Sequence, residues 1–179
     1  MKRYLFVTTV LVLAIFLLQS CADKKPEKVI SKNVQYVSGA DEVTYIKLGN
    51  EITDTVGATL KANLMAAMKN GGPVSAVTFC NMNAMELTEV YSEKYNTEVR
   101  RVSDRNRNEA NQPDKMEMDV IADFKNMLDQ KQPLSPKVAI DAEGRKHFYA
   151  PIFTGGLCLS CHGDPKNMQP ELLSAIDSL

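Results

Sequence analysis

Residues 137–153 read KVAIDAEGRKHFYAPIF. Lys137–Ile140 and Arg145–Phe153 are short runs suited to strands. Asp141-Ala142-Glu143-Gly144 between them is a turn, with glycine where a positive φ is wanted. The stretch therefore predicts a β-hairpin. Helices and further strands precede it, and helices and antiparallel strands mixed in this order predict an α+β fold. Ser38-Gly39-Ala40-Asp41 has the spacing of a capping box. The helix that follows carries Leu48, Ile52, Val56, Leu60, Leu64 and Met68 on one slowly drifting stripe. Gly71-Gly72-Pro73 stops it. Val74–Phe79 is short and apolar and predicts a strand. Asn83-Ala84-Met85-Glu86 opens another helix, with Leu87, Val90, Tyr91 and Tyr95 at helical spacing. Glu98–Ser103 reads as a strand and Asp104–Asp114 as a polar loop. Asp114-Lys115-Met116-Glu117 starts a helix bearing Met118, Ile121, Phe124 and Leu128, and Pro170–Leu179 forms the last one.

The chain has 179 residues, enough for one domain, and 44% of them are hydrophobic, so a packed core is available. The net charge is −1, which excludes binding to nucleic acid through bulk positive charge. Lys2-Arg3 precedes a 15-residue apolar run, Tyr4–Leu18, interrupted only by Thr8 and Thr9. A membrane-spanning helix needs roughly 20 apolar residues, so the run suits a signal peptide. It ends in Leu18-Gln19-Ser20-Cys21, which resembles a bacterial lipobox. The expectation is cleavage after residue 20 and acylation of Cys21. Residues 21–37, rich in lysine and without a regular period, read as a lipidated tether, and residues 38–179 as the domain. These readings place the protein in the cell envelope, lipid-anchored to the outer membrane or to a membrane surface facing the periplasm.

Near the C-terminus stands Cys158-Leu159-Ser160-Cys161-His162, a C-x-x-C-H motif. That spacing lets two thiols form thioethers with one haem and sets a histidine beside its iron as the proximal axial ligand. Three other chemistries compete for it. Structural zinc wants four ligands, and no second C-x-x-C is present. A redox-active dithiol opens a helix after an early strand, whereas this pair follows Gly155-Gly156 late in the chain. A plain disulfide leaves His162 without a role. The sequence thus predicts one covalent haem c through Cys158, Cys161 and His162, in agreement with an export signal.

Further stretches accompany the motif: Val77-Thr78-Phe79-Cys80-Asn81, Arg100-Arg101-Val102-Ser103, Arg107-Asn108-Glu109-Ala110-Asn111-Gln112-Pro113-Asp114, and Tyr149-Ala150-Pro151-Ile152 leading to Cys158–Gly163. Together, over residues 42–179, they resemble the c-type-haem PAS-like domain family, long filed as a domain of unknown function. The resemblance implies a PAS-like antiparallel sheet with flanking helices and a long N-terminal helix. It also implies a last strand beyond Leu179. Departures are Glu109, where the family has proline, and Met116, where it has an aromatic residue. In the family the second axial ligand is the cysteine of the phenylalanine-cysteine pair, which is Cys80 here. Read from the residues alone, Cys80 is an unpaired thiol that serves as ligand or as small core residue. His147, Met82 and Met85 are rivals for the distal position. Arg100, Arg101, Arg105 and Arg107 are candidates for the haem propionates, because guanidinium matches carboxylate at two points. Tyr149 and Phe153 either flank the ring or fill the core.

Three functions follow as expectations: a redox- or gas-responsive haem domain, an electron-transfer cytochrome, and a small peroxidase. A peroxidase needs an open iron position and a distal acid–base group. Cys80 as ligand closes that position, so the sequence predicts no enzyme. A redox or signalling protein is the expected partner of a chain that shows no output domain of its own.

Overall fold

The structure, a computed structural model, describes residues 34–179. The signal run, Cys21 and most of the tether lie outside the described residues. Three strands form one antiparallel sheet in the order β1 (Gln35–Tyr36), β2 (Lys137–Ile140), β3 (Lys146–Tyr149). The hairpin is where the sequence expects it: Val138 pairs with Phe148 and Ala139 with His147. Gly144 takes φ +82° in its turn. β3 ends before Pro151, which has no N–H to continue a ladder.

β1 corrects the reading of the tether. Gln35 pairs with Ile140, Tyr36 pairs with Ala139, and Val34 is buried, so the domain begins before residue 38. Side chains of neighbouring strand residues point to opposite faces. Val138 and Ala139 are 1% and 0% exposed, so β2 is covered on both sides. On the Ala139 side lies a core of Val34, Val120 and Ala139, ringed by Tyr36, Met116, Phe124 and Tyr149. Met116, Val120 and Phe124 belong to α2, Lys115–Asp129, and repeat every four residues along one face. That helix starts on a true capping box: Asp114 accepts from the Glu117 amide and Glu117 from the Asp114 amide, both at 2.8 Å.

The other side of the sheet meets α1, Ala40–Tyr95, whose residues Gly49, Ile52 and Val56 are buried. The helix comes close because position 49 has no side chain: a Cβ there would stand 2.2 Å from Cγ of Phe148. The first residues of α1 lack the expected capping box. Gly39 is the N-cap, and no side chain caps the helix.

Helix α1 is in fact two helices. Gly71 and Gly72 leave helical geometry, Gly72 with φ +69°, and Pro73 opens the second half, where its missing N–H does no harm. The Thr59 and Tyr91 hydroxyls lie 2.7 Å apart, although they are 32 residues apart in sequence. In a straight helix roughly 48 Å would separate them. The halves therefore fold back as a hairpin.

Two expected strands are corrected here. Val74–Phe79 is helical, because Pro73 restarts a helix in which Ala76, Ala84 and Thr88, spaced by multiples of four residues, are buried. Glu98–Ser103 forms no ladder. Its bonds run instead to Ser92 Oγ, from the Val99 amide at 2.9 Å, and to the Asn111 carbonyl, from the Ser103 amide at 3.3 Å.

After β3 come α3, Gly156–His162, and α4, Pro170–Asp177, which packs on α1 through the buried Leu172. The fold is α+β, with a long N-terminal helix and flanking helices around an antiparallel sheet. Among the described residues no helix is long and apolar enough to cross a membrane.

Candidate functional site

Cys158, Cys161 and His162 all lie on α3, spaced i, i+3 and i+4, which sets them along one face of the helix. Gly155 precedes the helix as N-cap, and the Gly163 amide donates to the Leu159 carbonyl at 3.0 Å as it ends. Arg107 Nη2 donates to the Cys161 carbonyl at 2.6 Å. This puts a cation at the negative end of the helix dipole and ties α3 to the loop at 104–114.

Cys80 lies on the second half of α1, on the same stripe as buried Ala76, Ala84 and Thr88, yet its own surface is exposed. Helices α1 and α3 touch, and the charges of Cys161 and Arg101 act on Cys80. Burial pushes the Cys80 thiol up; Arg101 opposes this and Cys161 adds to it. Burial likewise raises the Cys161 thiol, with Arg107 opposing. His162 is lowered by desolvation of its ring and by the cations Arg107 and Arg101, so the imidazole favours its neutral form, the form that can donate a lone pair. Cys80, Cys158 and Cys161 are all free thiols.

The structure separates the arginines. Arg100 turns toward α2: Nε lies 3.4 Å from Glu117, Nη1 lies 3.7 Å from Glu98, and Nη2 donates to the Gln112 carbonyl at 2.8 Å. The charge of Arg101 acts instead on Cys80 and His162. Its Nε is buried and makes no hydrogen bond. Arg107 holds α3, as above. Arg105 is exposed, and its amide donates to Ser103 Oγ at 3.0 Å.

The rivals for the distal position sit elsewhere or are differently engaged. His147 Nε2 is 2.9 Å from Asp141 Oδ2, and its ring stacks on Tyr149 at 6.4 Å. Asp141 is held well below the usual carboxylate range by His147 and then Arg145. Met82, two residues past Cys80, is 69% exposed. Met85 is half-buried and lines a cavity shared with Arg101. Tyr149 belongs to the core around Val120, while Phe153 is 68% exposed. Ile152, Phe153, Leu157 and Leu159 together leave apolar surface around the motif. Among the described residues, no three His, Cys, Asp or Glu side chains are grouped to hold a metal ion by themselves.

Sequence reading did not separate Arg100 from Arg101. It also passed over Ser92, whose hydroxyl accepts from the Val99 amide and donates to the Thr88 carbonyl, both at 2.9 Å. That bridge fixes the path of the arginine segment across α1.

Fold and site define an α+β domain in which a C-terminal C-x-x-C-H helix stands beside a lone cysteine on a helical hairpin. The chain belongs to the Tll0287-like family, whose model, Tll0287, matches residues 23–177. No curated protein and no solved structure matches the sequence.

Proposed function

We propose that the chain binds one haem c covalently and serves as a redox- or gas-responsive domain on a membrane surface. The observation that carries this reading is the meeting of Cys80 with the C-x-x-C-H helix, from segments about 80 residues apart in the chain, within reach of each other's charge. The residues present fit such a group in two further respects. Apolar surface at Ile152, Phe153, Leu157 and Leu159 borders the motif, and a buried guanidinium nitrogen beside it has no protein acceptor.

When bound, haem supplies a one-electron couple and an iron that accepts axial donors. The chain does the rest. Cys158 and Cys161 offer their thiols for the two thioethers. His162, kept toward its neutral form by its surroundings, offers an imidazole nitrogen. Cys80 offers sulfur from the facing helix. Cys80 stands on a different helix from the three motif residues, so its hold is independent of theirs, which suits a switch. Arg107 holds the motif helix against the 104–114 loop. Outside the described residues, Cys21 is the proposed lipid anchor in the cell envelope, and a redox or signalling protein is the proposed partner.

The exposure of α3, with Leu159 half in solvent, favours a second reading, an electron-transfer cytochrome whose cofactor edge a partner can approach. Covalent haem is tested by denaturing electrophoresis and the pyridine haemochrome spectrum of wild type, Cys158→Ala and Cys161→Ala. Haem released intact from wild type removes the reading. Carbon monoxide then separates the two functions: uptake by the reduced protein supports the switch, and refusal supports the carrier. Mass spectrometry of the mature N-terminus tests the anchor, and an unmodified Cys21 removes it.

A further inference from the structure

Arg101 carries a donor that the protein itself does not satisfy. Its Nε is buried without a hydrogen-bond partner, alone in this among the side-chain nitrogens and oxygens of the described residues. A buried donor left unmade is costly, and more so on a charged group. Arg101 also lines a cavity of about 230 Å³ between the second half of α1 and the 98–111 segment, with Met85, Thr88, Ser92 and Asn111. The other cation at this cavity, Arg100, is engaged by Glu98, Glu117 and the Gln112 carbonyl. Glu89 and Glu98 border the cavity too, but both are exposed to water, and Glu98 already faces Arg100.

We propose that Arg101 is a carboxylate-binding residue, and that it holds an acidic group at this cavity. The planar guanidinium edge presents Nε and a terminal nitrogen as two parallel donors, which match the two oxygens of a carboxylate and no single-point acceptor. One source of that carboxylate is a propionate of the haem, which rests on the reading above. The other is a free small carboxylate occupying the cavity.

The full-length protein, produced together with a haem-attachment system, distinguishes these. Wild type, Arg101→Gln, Arg101→Lys and Arg107→Gln are compared by resonance Raman spectroscopy of the propionate bending band and by titration with acetate. Circular dichroism checks that each is folded. A propionate band that moves in Arg101→Gln, but not in Arg107→Gln, identifies the haem side chain as the source. An unmoved band, with acetate binding that weakens about tenfold or more in Arg101→Gln, identifies a free carboxylate. Arg101→Lys keeps the charge and loses the two-point geometry, so it gives an intermediate response. It also replaces Arg101→Gln in the comparison if that variant does not fold. Wild-type protein without covalent haem overturns the haem reading, and the acetate titration alone then judges Arg101. A band and an acetate affinity both unchanged in Arg101→Gln overturn the proposal.

Discussion

Two glycines on one helix should respond to alanine with opposite signs. Gly49 and Gly57 both lie in the first half of α1. Replacing a helical glycine by alanine gains about 1 kcal/mol from lost backbone freedom in the unfolded chain. At Gly57 nothing lies within 4 Å of the new Cβ, so the gain is uncompensated. At Gly49 the Cβ would stand 2.2 to 2.5 Å from Cγ, Cδ2 and Cδ1 of Phe148. Reaching ordinary contact at 3.4 Å requires a displacement of about 1.2 Å. The nearest atom is Cγ, which stays in place when the ring turns about Cβ–Cγ, so Phe148 must leave its χ1 rotamer or β3 or α1 must move. Overpacking of this kind costs about 1–3 kcal/mol, which exceeds the propensity gain at most of that range. Gly57→Ala should therefore raise Tm by about 2–4 °C, and Gly49→Ala should lower it, by up to about 4–8 °C. Thermal unfolding followed by circular dichroism measures both. Equal shifts of the same sign would show that α1 does not rest on Phe148, and the account of how the sheet is covered would fall.

Other outcomes are open to direct measurement. On the proposed haem reading, Cys80→Ser should change the electron paramagnetic resonance spectrum of the oxidised protein; an unchanged spectrum would pass the distal role to His147 or a methionine. Asp123 is 4% exposed, accepts from the Tyr36 hydroxyl at 2.5 Å, and lies 3.7 Å from Lys137 Nζ. Asp123→Ala strands buried polar partners and should destabilise by about 3 kcal/mol in urea unfolding. The folded Asp141 carboxyl is depressed, so its contribution to stability is present above the unfolded value near 3.8 and is lost as pH falls through the folded one. Asp141→Asn should accordingly flatten the acid limb of a stability–pH curve, and an identical limb would contradict that ion cluster.

The hairpin at 137–149, the capped helix at 115 and the final helix at Pro170 were legible because local chemistry decides them: turn glycine, capping box and N-terminal proline all act within a few residues. Val74–Phe79 was misread because a short apolar run suits a strand and a helix equally. What decides it is Pro73 together with the packing of Ala76 and Ala84 against the rest of the domain, which is a tertiary fact. The capping box at Ser38 failed for a related reason, since Gly39 supplies the N-cap and leaves Ser38 outside the helix. At the site, C-x-x-C-H was legible as a local motif, whereas the approach of Cys80 depends on the reversal at Gly71–Gly72. The different engagements of Arg100 and Arg101 depend on which helices pack against the 98–103 segment.

The sheet joins its strands across very unequal lengths of chain. Lys146 pairs with Ile140 across a tight turn, whereas Gln35 pairs with the same Ile140 from the other end of the domain. Closing the longer loop costs about 2.5 kcal/mol more in chain entropy, taking the cost to grow as the logarithm of loop length. The β2–β3 hairpin and the helices can therefore assemble early, and β1 joins late, when Val34 and Tyr36 close over Val120 and Ala139. Folding should then show a slow step that seals one edge of the core. A pulling force applied at the N-terminus would meet this strand first, and it would detach by peeling before the hairpin yields.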